Sequence, residues 1–291
     1  MSRTLRELLT EGTALLEAAG IVDFKTDAWY LLADTCHIRR VDYLIAPDAP
    51  VSEAHGAAYM ERIRQRRGGC PLQYITGVQE FMGIPFMVNE HVLIPRLDTE
   101  VLVETVLKYL PEDARILDMC TGSGCILLSI MAMKLTASGE GVDLSENALA
   151  VAAENERRIR AMDKFDGLKA GGPAVRWTKS DLFEALDGRI YDVIVSNPPY
   201  IPTEQIPTLM TEVRCHEPFM ALDGSGDGLL FYRRIISEAR HHLSDNGMIF
   251  FEIGWDQAEA VCGLLRQAGF RQIEVRRDLA GLDRVVMASK N

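Results

Sequence analysis

The stretch of this 291-residue chain best suited to chemistry is Asn197-Pro198-Pro199-Tyr200, which follows the apolar run Val193-Ile194-Val195 after a single Ser196. Such a run reads as a buried strand. Two prolines fix φ and cannot donate to a sheet, so the strand ends there and the Asn is held in a rigid loop at its carboxyl end. In open α/β sheets that edge is where ligands bind. The Asn197 side-chain oxygen and the Pro198 carbonyl are two acceptors for one planar NH₂ group. They would orient its nitrogen and favour the positive charge that develops during attack, with Tyr200 able to pack on the plane. A nitrogen with a delocalised lone pair needs that help. An activated methyl donor would make a strong base unnecessary. For the four residues alone, the competing reading is a turn with a packed tyrosine.

A second constellation lies upstream. Asp118-Met119-Cys120-Thr121-Gly122-Ser123-Gly124 sits where an apolar run turns into a helical one. Its glycines let the backbone approach a ligand, and a helix N-terminus there offers free N–H groups. Gly-x-Gly also serves plain packing, but Asp143, 19 residues beyond Gly124, ends the next strand. A carboxylate at that place can accept both hydroxyls of a ribose. Leu127 stands where a dinucleotide fingerprint needs Gly or Ala, and no phosphate loop of the G-x-x-x-x-G-K-[ST] type occurs. An adenosine cofactor without a pyrophosphate, S-adenosylmethionine, fits that combination. Asp118 and the turn of Cys120, Thr121, Gly122, Ser123 and Gly124 would face its methionine portion. Ser180-Asp181-Leu182, at the end of a third strand, would hold the adenine: Asp181 as acceptor for the amino group, Leu182 as a cover for the ring. The competing reading of Asp181 is a helix cap.

The elements that must position these residues follow from the periodicity. Residues 1–73 read as helices only: Leu5, Leu8, Leu9, Leu15 and Leu16 repeat at helical spacing, Gly20 is a stop, a second helix ends near Cys36, and Ser52 caps another. That last helix carries Arg62, Arg64, Arg66 and Arg67 near its C-terminus, where they suit its dipole or form a docking surface. Between Leu72 and Ile94 the period becomes two, with Phe81, Ile84, Phe86 and Val88 flanking Gly83 as in a hairpin. Asp98 or Thr99 is expected to cap a helix over Val101–Leu110. From Arg115 onward strands alternate with helices, which predicts a parallel sheet covered on both faces. The last two strands are joined by too short a link for a helical crossover, so they should be antiparallel.

Composition narrows the function. No apolar run approaches the ~20 residues of a membrane span, and the N-terminus is no signal peptide, so a cytoplasmic protein is expected. Six scattered cysteines without a C-x-x-C pair are expected to be reduced thiols, and no metal site is expected. Net charge is −11; residues 1–75 are almost neutral, with 9 Lys/Arg against 10 Asp/Glu, and the remainder holds 22 against 32. An acidic catalytic half argues against DNA or RNA as a partner.

The sequence resembles the PrmC/HemK family of peptide chain release factor glutamine methyltransferases. Beyond the constellations above, the resemblance rests on Pro71-Leu-Gln-Tyr-Ile-Thr-Gly77, Glu80-Phe81 with Gly83, and Leu93-Ile-Pro-Arg-Leu-Asp-Thr-Glu100. Glu217-Pro218, Ala221-Leu222 and Asp227-Gly228-Leu229 add to it. It implies a Rossmann-like class I methyltransferase domain over 95–291, with a mostly parallel seven-stranded sheet. It also implies an N-terminal helical recognition domain over 1–73 and a β-hairpin linker over 74–94. The implied reaction is methyl transfer from S-adenosyl-L-methionine to the side-chain nitrogen (N5) of the glutamine in the Gly-Gly-Gln loop of release factors. A monomer is expected. Leu97 and Cys120 depart from the residues the family usually has there, proline and glycine. Asn-Pro-Pro-Tyr is shared with adenine-N6 DNA and guanine-N2 RNA methyltransferases, so a nucleic-acid substrate is the alternative.

Overall fold

Leucines at helical spacing put one apolar face on the first helix, and the fold buries that face. The structure is a computed structural model that describes residues 3–136, 138–162, 164–165, 168–169 and 171–291. Its contacts divide the chain into two units, Met1–Val78 with Met210–His216, and Gln79–Leu209 with Glu217–Asn291.

In the first unit β1 (Arg3–Thr4) leads into α1 (Leu5–Ala18), where Thr4 and Glu7 cap each other's backbone amides. Then follow α2 (Phe24–Cys36), α3 (Arg40–Ile45), β2 (Pro50–Val51, antiparallel to β1), α4 (Glu53–Arg67) and α5 (Leu72–Thr76). Ser52 caps α4 as expected, its hydroxyl accepting from the His55 amide. Leu8, Leu16, Leu31, Leu32, Tyr59 and Ile63 form the core, all fully buried. The arginines at the end of α4 are mostly paired rather than free. Arg62 pairs with Asp34 and Arg64 with Glu61. Arg66 is buried, its Nε 2.6 Å from Asp27 and its second guanidinium nitrogen 2.6 Å from Glu212.

A hairpin follows, β3 (Val78–Phe81) and β4 (Ile84–Met87), and the second unit starts within it at Gln79. Met82 and Gly83, the two residues between, both have positive φ, as the tight primed turn requires. A 3₁₀ turn, Leu97–Thr99, runs straight into α6 (Glu100–Tyr109). This corrects one expectation: neither Asp98 nor Thr99 caps α6 through its side chain. The 3₁₀ turn already gives the Thr99 and Glu100 amides backbone partners, which frees both side chains for other contacts.

Beyond α6 strands and helices alternate: β5 (Arg115–Met119), α7 (Cys125–Met133), β6 (Ser138–Asp143), α8 (Glu146–Arg160), β7 (Ala174–Lys179) and β8 (Tyr191–Ser196). After the tetrapeptide come α9 (Thr211–His216), which belongs with the first unit, α10 (Phe219–Leu222) and α11 (Leu230–His242). The chain closes with β9 (Leu243–Glu252), α12 (Ala258–Gln267), β10 (Arg271–Arg277) and β11 (Asp283–Ser289). The seven-stranded sheet has the order β10-β11-β9-β8-β5-β6-β7. β11 alone runs antiparallel to its neighbours, as the short final link predicts. One core cluster gathers α6 and α7, and the other gathers α11 and α12.

Candidate active site

The sheet order places the carboxyl ends of β8, β5, β6 and β7 side by side, so four segments far apart in sequence meet along one edge. Ser196 Oγ donates to the Met119 carbonyl at 2.6 Å, tying the end of β8 to that of β5. At this edge lies a cavity of about 400 Å³. Cys120, Thr121, Gly122, Ser123, Asp143, Asp181, Leu182, Asn197 and Pro199 all line it.

Asp143 stands at the end of β6. Its two oxygens accept from the Gly122 and Ser145 amides, each at 2.9 Å. Those bonds fix the carboxylate against the wall and leave a lone pair on each oxygen. Burial raises its pKa, and the two amides pull it back down. Asp181 pairs with Arg234 at 3.0 Å. Leu182, beside it, is buried at a positive φ of 54°. Cys120 also has positive φ, 61°, in a region costly for any residue but glycine.

Two residues of the upstream turn lie outside the cavity lining. Asp118 is fully buried and accepts from the Thr121 hydroxyl at 2.6 Å. Burial lifts its carboxyl to about 7, against the pull of that hydroxyl and the Leu127 amide. Gly124 has φ +77°, and a Cβ there would fall 2.9 Å from the Trp177 ring. That glycine is required by packing at the start of α7.

The tetrapeptide divides in the same way. Asn197 and Pro199 face the cavity; Pro198 is buried, and Tyr200 is part-buried against the core. The Tyr200 hydroxyl donates to Glu252 Oε1 at 3.4 Å, and its carbonyl accepts from Gln257 Nε2 at 3.0 Å. The loop after α10 backs it closely: a Cβ on Gly224 would lie 2.7 Å from Tyr200 Cα, and one on Gly228 would lie 2.3 Å from the Tyr200 carbonyl oxygen. Asn197 Nδ2 donates to Thr99 Oγ1 at 3.4 Å.

Several contributors escape a reading of the sequence. Asn155, 1% exposed, holds the hairpin to the glycine turn, exchanging bonds with the Met87 backbone and donating to the Ser123 carbonyl at 2.9 Å. Thr99, Glu252 and Gln257 surround the tetrapeptide. Arg96 pairs with the buried Glu217. Thr99 and Arg96 sit within the linker signature, which is the one sequence signal that marks them. Among the described residues no cluster of potential metal ligands occurs.

The donor set fits S-adenosylmethionine. A carboxylate locked at the cavity wall suits a vicinal diol. The Gly122 position, where a Cβ would meet nothing within 4 Å, leaves open space beside it.

Comparison with known proteins agrees with this geometry. Residues 7–77 match the PrmC N-terminal domain and residues 96–227 the methyltransferase small domain. A release factor glutamine methyltransferase from Agrobacterium fabrum is 39% identical over 277 residues, covering 93% of this chain and 92% of its own. The chain belongs to the release factor glutamine methyltransferase family. A further member, from Geobacter sulfurreducens, is 38% identical over 283 residues, covering 97% of this chain and 95% of its own. A methyltransferase from Pyrococcus furiosus has a similar fold, with a TM-score of 0.52 at 14% identity over 80% of this chain and 98% of that one. Membership of this family makes the protein an S-adenosylmethionine-dependent methyltransferase. Among the described residues no helix is long and apolar enough to cross a membrane.

Proposed function

We propose that this protein methylates the N5 side-chain nitrogen of a glutamine in a peptide chain release factor, at the Gly-Gly-Gln loop. The observation that carries the reading is the placing of Asn197 and Asp143 on the wall of one cavity, at the ends of strands separated only by β5. Family membership over nearly the whole chain supports the protein substrate.

S-adenosylmethionine, when bound, supplies a methyl group already activated by a sulfonium. Asp143 would hold the ribose hydroxyls, and the Cys120–Gly122 backbone the methionine portion. Leu182 would cover the adenine, with Asp181 as acceptor for its amino group. Asn197 Oδ1 and the Pro198 carbonyl would accept from the glutamine NH₂, turning its nitrogen toward the methyl and stabilising the charge that grows on it. The surplus proton is acidic once transfer has occurred and passes to water. The substrate is proposed to be met by a monomer in the cytoplasm.

Incubating the protein with S-adenosylmethionine and either a release factor or DNA and RNA oligonucleotides separates this reading from its rival. Methyl transfer to the release factor supports it; transfer to nucleic acid alone would establish the adenine-N6 or guanine-N2 alternative.

A further inference from the structure

Behind the tetrapeptide lies a buried carboxyl that the scheme above does not use. Glu252 ends β9, the strand beside β8, and is 2% exposed. Its Oε1 accepts from the Tyr200 hydroxyl; its Oε2 has no hydrogen-bond partner among the described residues. Burial raises this carboxyl to about 7 and nearby Asp98 adds to the rise, while the Thr99 hydroxyl, Arg284 and the Tyr200 hydroxyl favour its ionised form. Thr99 is itself 2% exposed, and its Oγ1 is the acceptor for Asn197 Nδ2.

The polarity of this chain of contacts matters. An ionised carboxylate only accepts hydrogen bonds. Facing the Thr99 hydroxyl, it favours the rotamer that turns the hydroxyl proton toward the carboxylate, which leaves the Oγ1 lone pairs for Asn197. An asparagine whose Nδ2 is occupied by Thr99 presents its Oδ1 in the other direction. The two ends of an amide have nearly the same shape, so packing alone does not choose between them; the hydrogen-bond network does. An inverted Asn197 would offer a donor where a substrate NH₂ needs an acceptor.

We propose that Thr99 and Glu252 are positioning residues that set the Asn197 amide with its oxygen toward the substrate nitrogen. The inference rests on the catalytic role assigned to Asn197 above. It gives the linker signature, which carries Thr99, a direct part in the chemistry of a loop 98 residues later.

Three near-isosteric variants test it: Thr99→Val removes the hydroxyl, Thr99→Ser keeps it, and Glu252→Gln exchanges a pure acceptor for a mixed group. Assays are run on the alkaline side of the Glu252 value, and thermal melting confirms that each variant folds. Thr99→Val and Glu252→Gln should each lower kcat about tenfold or more, because a misoriented group loses its alignment. Cofactor Kd should stay unchanged, and Thr99→Ser should retain most of the activity. Combined with Asn197→Ala, Thr99→Val should cause no further loss, since it acts only through that side chain. Full kcat in both single variants, or losses that multiply with Asn197→Ala, would overturn the inference. A wild-type protein that methylates the release factor, together with an Asn197→Ala variant that does not, secures the parent reading. The Thr99 and Glu252 results then bear on positioning alone.

Discussion

Asn197 and Asp143 face one cavity but are assigned different tasks, and substitution should separate them. Asn197 Oδ1 matters most when charge grows on the substrate nitrogen. Asn197→Ala should therefore cut turnover by ~10²-fold or more while leaving cofactor affinity nearly intact. Stopped-time methyl-transfer assays beside calorimetric cofactor binding would check this, and unchanged turnover would remove Asn197 from its role. Asp143 is assigned to the cofactor. Losing its charge-assisted bonds in Asp143→Ala should weaken cofactor binding by about 1.5–3 kcal/mol. A cofactor Kd equal to that of the parent chain would contradict the assignment. Other residues of the glycine turn serve its shape. Asp118 anchors Thr121 from below, and Gly124 makes room for Trp177.

At the scale of elements, strand ends were readable because apolar runs stop abruptly at residues that cannot continue them: Gly122 and Gly124 after β5, the two prolines after β8. Each segment that meets the cavity is local and carries its own signal. Thr99 and Glu252 carry none of that kind. Their placing depends on β9 lying beside β8 and on a 3₁₀ turn that leaves Thr99 free of the helix-capping task expected of it. Asn155 is similar, an ordinary polar residue in an amphipathic helix until the hairpin packs on it. The arginines of α4 teach the same lesson. A helix-dipole role and a docking surface were both legible, whereas the partners of Arg66 are Asp27 and Glu212, the latter 146 residues away. With Asp27 and Arg66 both buried, Arg66→Met would leave a carboxylate without its counter-charge. The first unit should lose about 3–5 kcal/mol, as breaking a buried pair does. Amide exchange in α2 and α4 measures it: faster exchange there is expected, partly restored when Asp27→Asn is added, and unchanged protection would contradict the account.

At the scale of the whole molecule, two units with separate cores are joined in sequence by the hairpin region and again around residues 210–216. The class of the larger unit followed from alternating strands and helices, because a parallel sheet has few ways to be covered. That α9 belongs with the smaller unit did not follow, since no local pattern marks it. The net charge of −11 gives no general attraction to nucleic acid, whereas a single extended glutamine loop needs only a cavity and a few acceptors. The most direct test of that account is peptide mass spectrometry of a release factor after incubation with this protein and S-adenosylmethionine. The account predicts the mass of one added methyl group, localised by fragmentation to the glutamine of the Gly-Gly-Gln loop. An unmodified glutamine there, with the cofactor shown to be bound, would contradict it.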